Sequence, residues 1–182
     1  MWYFPGQPDP STSTMVVPQP GDELIIVSPS YPRFNLNELI SHADAIVIGT
    51  VTEILPSQWG TFAQEEIIYT DVIIEVDRIL YGEPESEKIA VRLLGGRVGD
   101  VAMLVKVNAE YIIGEDVFLF LDKDILIESA PSEEISPQNY YTTWSKQDKY
   151  RYWHGIIDNR NDGRFPMYTW FVQMRIAAIH NK

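Results

Sequence analysis

Nucleophilic chemistry needs an activated Ser, Cys or Lys held beside a base, and this sequence supplies few of the parts. It has no cysteine and no G-x-S-x-G elbow, and its histidines are His42, His154 and His180. His42 and His180 each fall near the end of an expected helix, where contact with the C-terminal dipole accounts for them. His154 follows Tyr150, Tyr152 and Trp153 in an expected strand, which gives it a structural or surface role ahead of a catalytic one. No H-E-x-x-H occurs and no spacing suits a His-based metal site. Neither a catalytic metal nor a cofactor is expected, and the chain reads as non-enzymatic.

Four further stretches imitate functional motifs. Asp158 to Gly163 looks like a calcium loop, but Arg160 occupies the third ligand position and Thr169 stands where a bidentate glutamate is needed. A turn explains it better, because Asn, Asp and Gly adopt positive φ readily. Gly95-Gly96-Arg97-Val98-Gly99 could pass for a phosphate loop. The segment after it alternates with period two, so no helix N-terminus is available to hold an anion, and a barrel corner needing tight backbone approach is expected instead. Glu65-Glu66 and Glu133-Glu134 are paired carboxylates on expected loops; glycosidic chemistry would need two carboxyls facing across a cleft. Solvated charge is the simpler reading.

Aromatic clustering is the feature left over. Tyr140, Tyr141, Trp144, Tyr150, Tyr152 and Trp153 lie within fourteen residues, and Trp170 and Phe171 follow. They either cover one mouth of a small barrel or form a partner surface, since exposed Tyr and Trp combine large contact area with a polar handle. Tyr152 and Trp153 point to opposite faces if the segment is a strand. Trp144 with Tyr152 or Trp153 is therefore the candidate binding set.

The elements that must position these residues follow from periodicity. Residues 1–34 hold Pro5, Pro8, Pro10, Pro18, Pro20, Pro29 and Pro32, the composition of an extended arm or linker. Leu24 to Val27 could add an edge strand, and the arm either tethers the domain or wraps over it. Asn35 opens a short helix with Leu36, Leu39 and Ile40 on one face. Ala45 to Thr52 suits a central strand with a bulge at Gly49. From Ile68 to Asp77, Val72, Ile74 and Val76 share one face while Tyr69, Asp71, Glu75 and Asp77 share the other. Lys88 to Leu93 and Val101 to Val107 alternate, and Val117 to Leu121 is a continuous apolar run typical of a strand buried on both faces. Residues 128–148 read as a loop. Lys149 to Ile157 and Arg164 to Tyr168 flank a turn, and Thr169 caps a closing helix with Phe171, Met174 and Ala178 on one face. Residues 35–182 are thus expected as a single domain, with 44–122 in one antiparallel barrel-like sheet.

The chain has 182 residues, 45% apolar and 12% aromatic, enough for one packed core. Fourteen basic residues against 26 acidic ones leave a net charge of −12. That field repels phosphate backbones, and the densest basic stretch, Lys146 to Arg151, is interrupted by Asp148; no nucleic-acid partner is expected. No stretch approaches the roughly 18 apolar residues of a membrane span, so no membrane insertion by this chain is expected. The start, Met1-Trp2-Tyr3-Phe4-Pro5, has neither a basic n-region nor an apolar h-region. A signal or anchor is expected upstream of the sequence.

The string Ala43-Asp44-Ala45-Ile46-Val47-Ile48-Gly49-Thr50-Val51 resembles the first strand of a group of prokaryotic secreted or surface domains. Ile68-Tyr69-Thr70, Ile79-Leu80-Tyr81-Gly82, Gly95 to Gly99 and Gly114 to Leu121 continue the likeness in order, over roughly residues 36–122. Such domains are similar in architecture to the OB-fold of netrin-like modules, which include the tissue inhibitors of metalloproteinases. Those inhibitors place an N-terminal cysteine on the protease zinc, and this chain begins Met1-Trp2 with no cysteine, so no inhibitory residue carries over. The resemblance implies a small OB-like antiparallel β-barrel, with a short N-terminal helix and a C-terminal helix, in an extracellular or cell-surface protein. The expected function is binding of a protein or glycan. The rivals are regulation of a secreted protease, suggested by fold analogy alone, and a hydrolase using paired carboxylates.

Overall fold

The computed structural model describes residues 12–123, 127–128, 135, 139–143, 147–158 and 166–180. In chain order the elements are β1 (Glu23–Val27), α1 (Leu36–His42), β2 (Ala45–Ile54), β3 (Gln58–Phe62), β4 (Glu65–Tyr81), β5 (Lys88–Leu94), β6 (Gly96–Val98) and β7 (Val101–Val105). They continue with β8 (Asp116–Leu121), β9 (Ile127–Glu128), β10 (Tyr140–Thr142), β11 (Lys149–Trp153), β12 (Ile156–Asp158), β13 (Met167–Tyr168) and α2 (Thr169–His180).

The protein is mostly β, with two sheets of mixed direction. Ten strands form the larger one, in the order β10-β5-β4-β2-β8-β11-β12-β13, with β3 and β9 branching from β4. Its centre is β2, β4 and β8, where Ala45 pairs with Leu121, Ile48 with Phe118 and Val51 with Ile74. Both faces there are buried. Val47, Val72, Val91, Leu119 and Leu121 pack on one side; Ile46, Ile48, Phe118 and Phe120 pack on the other, under α1 and α2. This is why the Val117–Leu121 run carries no polar alternation. At Gly49 the register between β2 and β4 shifts, and a Cβ there would collide with the Glu75 carbonyl and Ile74. The bulge needs a glycine for close backbone approach.

Helix α1 starts as its sequence suggests. The Asn35 side chain accepts from the Glu38 amide at 3.1 Å, and Glu38 accepts from the Asn35 amide at 2.7 Å, a complete capping box. Leu39 and Ile40 are buried beneath it.

The span 44–122, expected as a single antiparallel sheet, is divided between two. After Leu94 the chain turns through Gly95 and Gly96 into β6 and β7, which join β1 in a separate three-stranded sheet. A side chain at Gly96 (φ 143°) would strike the Ser57 and Thr70 hydroxyls, so this corner is a place of tight approach, as expected. Two pairings, β1 with β7 and β10 with β5, are parallel. Among the described residues the larger sheet does not close: β10 and β13 stand at its two ends.

Other expectations change with burial. Val72, Ile74, Val91, Phe118 and Phe120 are buried, whereas Val76 is only partly so, because β5 stops pairing with β4 at Glu75. The opposite face of β4 is not a solvent face at Asp71. Arg92, directly across on β5, donates from Nε and Nη2 to the Asp71 carboxylate, both at 2.7 Å, in a buried pair. Tyr69 and Tyr140 flank the guanidinium at 4.3 and 4.7 Å. Burial lowers the Arg92 pKa, and the Asp71 hydrogen bond and charge outweigh it, leaving the group above its ordinary value. Within the stretch expected as a loop, Tyr140–Thr142 forms β10, because Tyr140 and Tyr141 are buried and Thr142 exchanges backbone hydrogen bonds with Asp122.

Candidate functional site

Strand β11 begins beside β8, with Lys149 opposite Leu119 and Tyr150 opposite Phe118. It then runs past the start of β8 and pairs only with β12 beyond Arg151. The turn between β11 and β12 consists of His154 (φ 46°) and Gly155 (φ 81°), two left-handed residues whose twist suits a two-residue hairpin. His154 is therefore a turn residue. Thr169 locks the next element to it: both the Thr169 amide and hydroxyl donate to the Gly155 carbonyl at 2.8 Å. That hydroxyl was expected to cap α2; it anchors the helix to the hairpin instead.

Register sorts this unit into two faces. Tyr152 lies opposite Ile157, and Ile157 opposite Met167; these three turn inward against the cluster of Phe118, Phe120 and Tyr150. Trp153 lies opposite Ile156, and Ile156 opposite Tyr168, so those three share the outer face. Trp153 is 68% exposed, Tyr168 59% and Trp170 61%. The backbones of Trp153 and Tyr168 are two strand spacings apart, ~10 Å. Trp170 continues the surface: its ring lies 6.4 Å from that of Tyr168 at an interplanar angle of 20°, and Phe171 meets it edge-on at 6.1 Å.

Helix α2 presents the rest. Its buried face is Val172 and Ile176, not the expected stripe of Phe171, Met174 and Ala178; those three are exposed. The helix is firmly seated, since Arg175 donates to Asn37 Oδ1 at 2.7 and 3.0 Å, and His180 stacks on Tyr81 with centroids 3.8 Å apart. The outward positions Trp170, Phe171, Met174, Ala177 and Ala178 nonetheless carry no charge. A helix apolar on both sides is ordinarily covered on both. Beside the rings, Arg151 and Asp158 pair across the hairpin at 3.4 Å, so the local surface is neutral within a chain of net charge −12.

The candidate binding set divides. Trp153 is exposed, Tyr152 is half-buried against the core, and Trp144 lies outside the described residues. Tyr140, Tyr141 and Tyr150 are core: Tyr150 packs edge-on against Phe118 and Phe120 at 6.4 and 5.9 Å. Tyr168 and Met174 were not among the candidates. The β12–β13 register is the signal that places Tyr168 with Trp153, and two residues of β13 are too few to show alternation.

Elsewhere several titratable groups make contacts within the fold. Lys149 is buried; its ammonium donates to the Glu115 carboxylate and the Glu110 carbonyl, and lies 4.8 Å from the centre of the Tyr111 ring. Burial lowers the Lys149 pKa, with the charge of Glu115 opposing. His42 packs against Phe34 with centroids 5.1 Å apart. In the glycine-rich stretch Arg97 pairs with Asp22 at 2.6 Å. Asp158 closes β12; the remainder of the calcium-like stretch, with Glu133-Glu134, lies outside the described residues. No described helix is long and apolar enough to cross a membrane. Neither a protein-family model nor a curated protein sequence matches the chain.

Proposed function

We propose that this chain is a non-catalytic binding module of an extracellular or cell-surface protein, and that it engages a partner through the outer face of β11, β12, β13 and α2. The observation that carries the reading is the set of three indole and phenol rings, each more than half exposed, on one rigidly anchored surface. Large aromatic side chains lose little conformational entropy on binding and dominate interface energetics. Their neighbours Ile156 and Met174 extend the face with aliphatic and thioether surface and Phe171 adds a further ring, which suits a protein better than a glycan, for which rings alone suffice. A net charge of −12 favours a neutral or basic partner. The OB-like, netrin-like architecture belongs to the same proposal; the central bulged sheet, with one helix before it and one after it in the chain, supports it.

The test pairs binding with stability. Panels of secreted proteins and of neutral glycans are screened against the wild type and Trp153→Ala/Trp170→Ala. A specific partner should be lost by the double variant while its Tm stays close to that of the wild type. A partner held equally well by both proteins would overturn the assignment of this face, and a glycan ligand lost by the variant would replace the protein partner.

A further inference from the structure

The N-terminal arm carries a separate interaction device. Residues 12–17 lie as an extended segment along Tyr111–Ile113: the Thr14 amide donates to the Tyr111 carbonyl at 2.9 Å and the Ile113 amide to the Thr12 carbonyl at 2.8 Å. Ser13 and Ile112 form an antiparallel bridge, and the Ser13 hydroxyl donates to Glu110 at 2.6 Å. The segment is a one-bridge strand with its own side-chain latch.

Its seat is partly open. Thr14, Met15 and Val16 line two solvent-open grooves of about 290 and 310 Å³, both reaching Thr70. A segment bordered by open grooves has fewer packed neighbours to hold it than a core strand has. The connection to β1 is a tight turn, Gln19-Pro20-Gly21-Asp22, closed by the Asp22 amide on the Gln19 carbonyl at 3.1 Å, with Gly21 at φ 98°. Pro18 and Pro20 stiffen this short hinge. If the turn opens, five residues from Pro18 to Asp22 span up to ~17 Å and carry the arm away from its own domain.

We infer that residues 12–17 exchange between two copies of this chain, each arm adding to Tyr111–Ile113 of the other. The occupant is written into the structure, because a second copy offers the same hydroxyls, carbonyls and apolar side chains already seen seated in the groove. Every contact is kept, so exchange costs little beyond association. The surfaces around the hinge also need a cover. β1 is an edge strand of its sheet, and Leu24 and Ile26 project from it about half exposed, with Met15 and Val17 similarly exposed on the arm. Two opened hinges side by side would shield these four apolar side chains. The inference is independent of the aromatic face.

The chain has no cysteine, which allows a clean test. Ser13→Cys and Ile112→Cys are made as separate proteins, mixed, unfolded and refolded together at high concentration, and oxidised. Arm exchange gives a covalent dimer whose disulfide, by peptide mass spectrometry, joins Cys at 13 of one chain to Cys at 112 of the other. In the double variant oxidised at high dilution, the arm is locked to its own domain, and light scattering should report a monomer where the wild type dimerises as concentration rises. Deleting Pro20 and Gly21 removes the return turn and should leave only dimer. A wild type that stays monomeric at every concentration, a mixture with no cross-joined disulfide, or a deletion variant that is a monomer with its arm released would each overturn the inference.

Discussion

The two ends of β11 contrast sharply although they are three residues apart. Tyr150 is fully buried between Phe118 and Phe120, whereas Trp153 stands 68% exposed on the same strand. Their residue types would serve equally well in a core or at an interface. Two things separate them: register turns Tyr150 and Tyr152 toward the core and Trp153 to the outer face, and β8, which begins at Asp116, no longer flanks the last part of β11. Aromatic clustering in a sequence therefore marks a surface only where a ring falls on the outer face and the partner strand has run out.

The largest expected effect tests that boundary. Tyr150→Ala should cost ~3–5 kcal/mol by opening a cavity in a closed core, while Trp153→Ala should stay within about 0.5 kcal/mol. Chemical denaturation of the two variants checks it; similar losses would mean the two ends are equivalent after all.

Next comes Lys149, the buried neighbour of Tyr150. Lys149→Met leaves the Glu115 carboxylate, which is 14% exposed, without its ion-pair partner, at a cost of about 3 kcal/mol near neutral pH. A pH series sharpens this. Below its lowered folded-state pKa, Lys149 is protonated in both states and its desolvation penalty is present in full. Between that value and the ordinary 10.5, the unfolded chain binds more protons, so stability from this group rises with pH. Buried Tyr111, whose pKa burial raises, acts in the opposite direction. Subtracting the denaturation profile of Lys149→Met from that of the wild type isolates the lysine at alkaline pH, and the difference should rise with pH across that window.

The smallest effect compares two turns of one kind. His154-Gly155 joins β11 to β12, and Ala63-Gln64 joins β3 to β4 with φ of 51° and 71°. The first pair contains a glycine; the second puts two side chains in the left-handed region. Ala63→Asn/Gln64→Gly should raise stability by ~1 kcal/mol. A thermal melt decides it, and an unchanged Tm would mean that strain at this turn is released elsewhere.

Those turns also show where local reading stops. Neither hairpin is visible there: Lys149 to Ile157 reads as one strand although His154-Gly155 turns the chain within it, and β3 is missed because Ala-Gln carries no turn signal and Gly60 interrupts the strand pattern. Asp71 shows a similar limit. Alternation places it correctly with Tyr69 on one face of β4, yet only the arrival of Arg92 and Tyr140 makes that face an interior. On α2 the choice between Phe171-Met174 and Val172-Ile176 as the buried stripe is open in the sequence, since both are apolar.

The sequence by itself determined what depends on a residue and its near neighbours. It set the Asn35 start of α1, the double-sided burial of β8, the bulge at Gly49, the mostly β character and the strong negative charge. Tertiary structure decided everything that depends on which strand lies beside which. It split β6 and β7 from the larger sheet, made two pairings parallel, laid residues 12–17 against Tyr111–Ile113, and left Trp153, Tyr168 and Trp170 together on one outer face. The physical reason is range: periodicity and capping act over one or two turns of chain, whereas burial is a property of distant segments that meet only when the whole chain has folded.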